Sequence, residues 1–211
     1  MPAPTPFWHP ETLAPTTAAT LEFLRGQALL SAVYLAGGTG LALRCGHRIS
    51  VDLDFFSPAP FAEEELIQKL QSAPGFSLVA KGEHTVHAVI QSTKVSYLGY
   101  AYPLLFPTVS FNGVPVADPR DIACMKVSAI AGRGTRRDFI DFYWLCHEYG
   151  FAALLGLFAK KFKQTNYSDV HILKSLTFFA DAEKDPMPNM LVPLDWDEVK
   201  RYFRNAVTAL L

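Results

Sequence analysis

Residues 33–57 read VYLAGGTGLALRCGHRISVDLDFFS, and the reading of this stretch decides the fold. Val33-Tyr34-Leu35-Ala36 is an apolar run that predicts a strand, broken at Gly37-Gly38-Thr39-Gly40. A short helical stretch from Leu41 to Arg44 follows, and then a second apolar run that carries Asp52 and Asp54. Side chains alternate between the faces of a strand, so these two carboxylates point the same way with their Cα atoms roughly 6–7 Å apart. At an effective dielectric of ~20, charges at that distance repel by about 2–3 kcal/mol. Set among Val51, Leu53, Phe55 and Phe56, the pair needs a cationic partner. A hard divalent ion such as Mg²⁺ suits oxygen ligands.

Gly37, Gly38 and Gly40 tolerate positive φ and allow close approach of a ligand to the backbone. A strand–glycine–helix turn aims N–H groups at an anion, typically a phosphate, and the Thr39 hydroxyl adds one further hydrogen bond. Phosphate-binding backbone beside metal-binding carboxylates reads as a metal-assisted phosphoryl or nucleotidyl transfer site. A generic Mg²⁺ phosphohydrolase also fits the Asp pair, but it leaves the glycine turn and its spacing unexplained.

Gly37-Gly38-Thr39 followed by Asp52-Leu53-Asp54 resembles the signature of DNA polymerase β-like nucleotidyltransferases. The fuller string GGTGLALRCGHRISVDLDFF resembles the AbiEii/AbiGii toxin family within that superfamily. A second stretch at 118–145, DPRDIACMKVSAIAGRGTRRDFIDFYWL, resembles the family's Lys, basic loop and Asp-rich helix, in the family's order. The resemblance implies an α+β fold: a polymerase β-like core, with a mixed sheet flanked by helices, and a C-terminal helical subdomain. It implies transfer of an NMP from an NTP to an acceptor hydroxyl, with Mg²⁺ or Mn²⁺ held by Asp52 and Asp54. Gly37, Gly38 and Thr39 would seat the triphosphate, and Lys126, Arg48 and Arg133 would meet phosphate charge. Asp138 or Asp141 would act as general base or metal aid. A toxin role in a toxin–antitoxin or phage-defence pair follows, with an RNA or tRNA 3′ end as acceptor and an antitoxin protein as partner. One position departs from the pattern: where many superfamily members carry a third metal-binding carboxylate on a later strand, this chain has Ser96, a poor metal ligand. That leaves a second reading, a catalytically weakened fold that binds a nucleotide or a partner.

Half of the 211 residues are hydrophobic and 13% are aromatic, which excludes a disordered chain. The net charge of −1 argues against binding long nucleic acid over the whole surface, but not against a local basic cleft for an RNA end. No apolar run is long enough for a membrane span, and the N-terminus lacks the features of a signal peptide. Cys45, Cys124 and Cys146 are widely spaced in apolar segments and read as buried thiols of a cytoplasmic protein.

Three regions are expected: a Pro-rich arm at 1–16 pinned by Phe7 and Trp8, an α/β core at 17–117, and a helical region at 118–211 completing the active-site cleft. Within the core, a helix over 17–32 starts at Thr17 as N-cap, and another spans 61–73. Strands are expected at 76–80, 85–91, 94–99 and 107–116, with turns at 81–83 and 91–93; His84 and His87 read as half-exposed strand residues. The helix at 118–132 has Asp118 as N-cap and Pro119 in its first position, with Lys126 beside its apolar stripe. The next helix, 135–149, is capped by Thr135 and places Asp138 and Asp141 on one face; Arg137 four residues before Asp141 suggests a surface ion pair. Arg133, Arg136 and Arg137 read either as phosphate or RNA-backbone ligands or as a solvated basic corner. Helices are expected at 151–164, 169–180 and 195–210, with Lys160, Lys161 and Lys163 as a solvated patch.

Overall fold

Period-two alternation of apolar and polar residues builds a seven-stranded mixed sheet in the computed structural model, which describes residues 7–165 and 167–210. The chain divides into two compact units. The first runs through Pro103 and takes up Pro107–Ala117; the second comprises Leu104–Phe106 and the chain from Asp118 onward.

In the first unit, α1 (Pro15–Gly26) precedes β1 (Tyr34–Leu35), α2 (Gly37–Cys45), β2 (Asp52–Ser57) and α3 (Glu63–Leu70). Then come β3 (Ser77–Gly82), β4 (Thr85–Ile90), β5 (Thr93–Gly99), β6 (Val109–Phe111) and β7 (Val114–Val116). The sheet order is β3-β4-β5-β2-β1-β7-β6, with β2–β5 and β1–β7 parallel and the other pairs antiparallel. One face buries Leu35, Leu53, Phe55, Val86, Ile90, Val95 and Tyr97 with Leu21 and Leu24 of α1 and Leu70 of α3. Phe55 stacks on Tyr97 with centroids 5.2 Å apart, and burial pushes the Tyr97 phenol well above its ordinary range. Thr17 and Thr20 tie α1 to the sheet by donating to the carbonyls of Val51 (3.1 Å) and Ile90 (3.2 Å).

Several expectations move. α1 begins at Pro15 with Ala14 as N-cap, because Pro15 already has the helical φ; Thr17 is buried in the helix and caps nothing. The helix stops at Gly26, and Ala28 takes a φ of 54°, so 27–32 is a turn. The strand expected over 107–116 is the hairpin β6–β7, folded at Asn112-Gly113 with φ of 49° and 85°. Asn-Gly is the residue pair such a turn favours. His84 lies in the β3–β4 turn with φ of 47°. Trp8 does pin the arm, 5.2 Å from Phe111 and beneath the Arg44 guanidinium, whereas Phe7 is 78% exposed. Residues 1–6 lie outside the described residues.

The second unit carries α4 (Pro119–Gly132), α5 (Arg136–Tyr149), α6 (Phe151–Lys161), α7 (Asp169–Ser175) and α8 (Trp196–Thr208). Asp118 caps α4 by accepting from the Arg120 N–H, and Thr135 caps α5 by accepting from the Asp138 N–H. Phe139, Phe142, Phe179 and Phe203 form an aromatic core, Phe142 stacked on Phe203 with centroids 5.6 Å apart. Among the described residues no helix is long and apolar enough to cross a membrane.

Candidate functional site

β2 alternates as expected: Leu53 and Phe55 enter the core while Asp52 and Asp54 stand half-buried on the opposite face. The register decides what shares that face. Asp52 lies opposite Lys94 and Asp54 opposite Ser96 across the parallel β2–β5 pair. Ser96 in turn lies opposite His87 across the β4–β5 hairpin. The His87 Nδ1 is 3.1 Å from the Ser96 Oγ. His87, Ser96 and Asp54 therefore form one row across three strands, since directly opposed residues point to the same side.

The glycine stretch is itself the first turn of α2. Gly37 has φ of 61°, and a Cβ placed there would lie 2.8 Å from the Asp54 Oδ2. Glycine thus lets the helix start close over the carboxylate, an approach any side chain would block. A Cβ on Gly38 would collide with the buried Arg48 guanidinium, whose Nη1 donates to the Ile49 carbonyl at 3.1 Å. Ala36, the N-cap residue, makes no side-chain capping hydrogen bond to the first N–H groups of α2, and a helix start of this kind is able to accept an anion. Thr39 departs from expectation. Its buried hydroxyl donates to the Asp52 carbonyl and sits 2.8 Å from the Ser50 Oγ, fastening α2 to the start of β2 rather than facing a ligand.

The donor set fits a hard divalent ion. Two carboxylates share one face of β2, and oxygen donors of this kind suit an ion such as Mg²⁺, which takes one or two protein carboxylates and completes its shell with water and substrate phosphates. Among the described residues no three His, Cys, Asp or Glu side chains gather as ligands.

In the helical unit, the second family stretch folds into a buried ion cluster. The Lys126 Nζ lies 2.9 Å from the Asp138 Oδ1 and 2.7 Å from the Asp141 Oδ2, with the lysine side chain 7% exposed. Arg133 Nε reaches the Asp138 Oδ2 at 3.1 Å, and the Thr135 hydroxyl donates to the same oxygen at 2.6 Å. Burial alone would raise the Asp138 pKa. The charges of Lys126 and Arg133 and the hydrogen bonds from Arg133 and Thr135 outweigh it and bring the carboxyl down to about 2. Asp141 is buried against the same ammonium, so the two carboxylates bracket Lys126. Arg136 is likewise engaged internally, donating to the Ala182 carbonyl at 3.0 Å and lying over the Trp196 ring.

A second buried pair was not foreseen. Lys161, expected in a solvated patch, is buried with its Nζ 2.7 Å from the Asp121 Oδ1. Asp121 also accepts from the backbone N–H groups of Leu105 and Phe106, each at 3.0 Å, which fastens residues 104–106 to α4. The row partner His87 was foreseen only as a half-exposed strand residue. Its signal was the two-residue turn Gln91-Ser92, with φ of 49° and 68°, which sets His87 opposite Ser96.

Comparison with known proteins bears on both stretches together. A family model described as "Nucleotidyl transferase AbiEii toxin, Type IV TA system" matches residues 22–111 and 100–209. Protein aq_aa25 of Aquifex aeolicus (strain VF5) is 33% identical over 197 residues, spanning 90% of this chain and 94% of its own. Two solved structures share the fold. MenT4, nucleotidyltransferase toxin Rv2826c from Mycobacterium tuberculosis H37Rv, matches at 16% identity and TM-score 0.54, over 92% of this chain and 86% of its own. JHP933 from Helicobacter pylori matches at 17% and 0.52, over 94% and 93%. With the glycine turn set against Asp54 and the family model spanning both motif stretches, the chain belongs to the AbiEii nucleotidyltransferase toxin family.

Proposed function

We propose that the protein transfers an NMP from an NTP to an acceptor hydroxyl in a metal-dependent reaction. The acceptor is an RNA end, and the setting is a cytoplasmic toxin–antitoxin pair. The observation that supports this reading is the close packing of the Gly37 backbone on Asp54, where an added β-carbon would lie 2.8 Å from the Oδ2, so that the helix start and the carboxylate pair are neighbours. Asp52 and Asp54 hold Mg²⁺ or Mn²⁺. The first N–H groups of α2, at Gly37 and Gly38, grip phosphate oxygens, and Arg48 adds positive charge beside them. In the helical unit, Lys126 and Arg133 stay in the proposal as phosphate ligands, with Asp138 and Asp141 as the carboxylates that hold Lys126. A bound divalent ion supplies charge compensation at the α-phosphate. The acceptor oxygen attacks the α-phosphorus, the bond to the bridging oxygen breaks, and pyrophosphate leaves with the electron pair.

The test is label transfer from each NTP, radiolabelled at the α-phosphate, to total cellular RNA and protein with Mg²⁺ or Mn²⁺. Asp52→Asn and Asp54→Asn are each expected to lose transfer by at least ~10²-fold. Full activity in either variant overturns the proposal. Ser96 motivates the second reading, a nucleotide- or partner-binding module. It is favoured if NTP raises the melting temperature while no acceptor is labelled.

A further inference from the structure

Transfer releases the proton of the acceptor hydroxyl, and the helix carboxylates Asp138 and Asp141 are both ion-paired with Lys126. The strand position where the family resemblance calls for a third carboxylate is Ser96, directly opposite Asp54 in the β2–β5 register. Its hydroxyl lies 3.1 Å from the His87 Nδ1, within the range in which a hydroxyl and a base act as a couple. We propose that Ser96 and His87, in the row beside Asp54, act as a proton-accepting dyad; the inference rests on the transferase reading above. As the acceptor oxygen bonds to the α-phosphorus, its proton passes to the Ser96 Oγ and the Ser96 proton passes to the His87 Nδ1. Pyrophosphate departs, and the imidazole becomes imidazolium until solvent discharges it. The dyad requires neutral His87 with its proton on Nε2, leaving Nδ1 as acceptor.

Four strands supply the groups around His87. Ala80 of β3 lies opposite it, with Lys81 and Gly82 following on that strand. Thr85 and Val89 flank it on β4. Ser96, Lys94 and Leu98 share its face from β5, and Asp54 and Asp52 lie one strand further on. No carboxylate is its direct strand neighbour.

Three readouts test the dyad on the full chain. First, long-range ¹⁵N NMR of the imidazole is expected to show the Nε2–H tautomer with a hydrogen-bonded Nδ1; the Nδ1–H tautomer overturns the proposal. Second, the pH profile of label transfer from NTP to total RNA is measured for wild type, His87→Gln and Ser96→Ala. Wild type is expected to show an acidic limb set by protonation of the base. Both variants are expected to lose that limb and ~10²-fold in rate, with their melting temperatures recorded to confirm folding. Third, Ser96→Asp in the His87→Gln background is expected to recover at least tenfold of the lost rate and to move the limb to lower pH, as a carboxylate base requires. A His87→Gln protein that keeps the wild-type limb and rate reduces the pair to a cross-strand contact and overturns the dyad alone. Absence of transfer by wild type overturns the transferase reading, and the dyad with it.

Discussion

Each unit of this protein carries a pair of aspartates, and the pairs have opposite fates. Asp52 and Asp54 are two residues apart on a strand, half-buried on the sheet face that α1 and α3 do not cover. Asp138 and Asp141 are three apart on a helix, buried, and bridged by Lys126 from the preceding helix. Side-chain chemistry is identical; what differs is the element that carries each pair and how deeply it is buried. The helix pair brackets a buried ammonium, while the strand pair is half-buried beside the N-terminus of α2.

The sharpest way to break this comparison is to remove the internal cation. Lys126→Met strands two buried carboxylates and is expected to cost about 3–5 kcal/mol in urea unfolding, because breaking a buried pair leaves uncompensated charge. Asp52→Asn, by contrast, is expected to leave the unfolding midpoint nearly unchanged while abolishing transfer. A Lys126→Met protein of wild-type stability would erase the distinction. Acid titration sharpens it next. The Asp138 carboxyl sits at about 2 against an ordinary 3.8, so the folded state binds the proton less readily than the unfolded chain. The resulting stabilisation, ~2 kcal/mol, is fully present above about pH 4 and is lost as pH falls toward 2. Asp138→Asn should flatten that part of the stability–pH curve; an unchanged curve would mean that Lys126 and Arg133 do not hold the carboxylate. Smaller still, Gly37→Ala forces a β-carbon into the left-handed region and against the Asp54 oxygen. It should cost about 1–2 kcal/mol by thermal melting. It should also weaken Mn²⁺ binding measured by electron paramagnetic resonance, and unaltered affinity would detach Gly37 from the metal-binding pair. Thr39→Val, which removes only the tie from α2 to the Asp52 carbonyl, is expected to cost about 1 kcal/mol by thermal melting. A cost near zero would show that this hydroxyl does not fasten the helix.

Much of the architecture was legible in the sequence because local signals state it. Asp118-Pro119 and Thr135 marked the starts of α4 and α5, and alternation at Asp52–Phe56 gave the face of the carboxylates. What was missed depends on register and on long-range partners. Asn112-Gly113 is a turn signal that was passed over inside an apolar run. Placing the β4–β5 turn over three residues instead of at Gln91-Ser92 hides the pairing of His87 with Ser96, since a one-residue slip moves every side chain to the other face. Lys161 looked like a helix-surface charge because nothing local tells a lysine that a carboxylate on a neighbouring element will bury it.

The parallel pairing of β2 with β5 has a consequence for when the enzyme comes into being. The β4–β5 hairpin closes through a two-residue turn and can form early, so His87 meets Ser96 through local contacts alone. Asp54 joins that row only when β2 docks alongside β5, a pairing between distant parts of the chain that carries the entropy of closing a long loop. A chain emerging from the ribosome would therefore pass through a stage with its glycine turn and aspartates made but no completed row beside them. Catalytic competence would arrive late, after most of the first unit has been synthesised and folded.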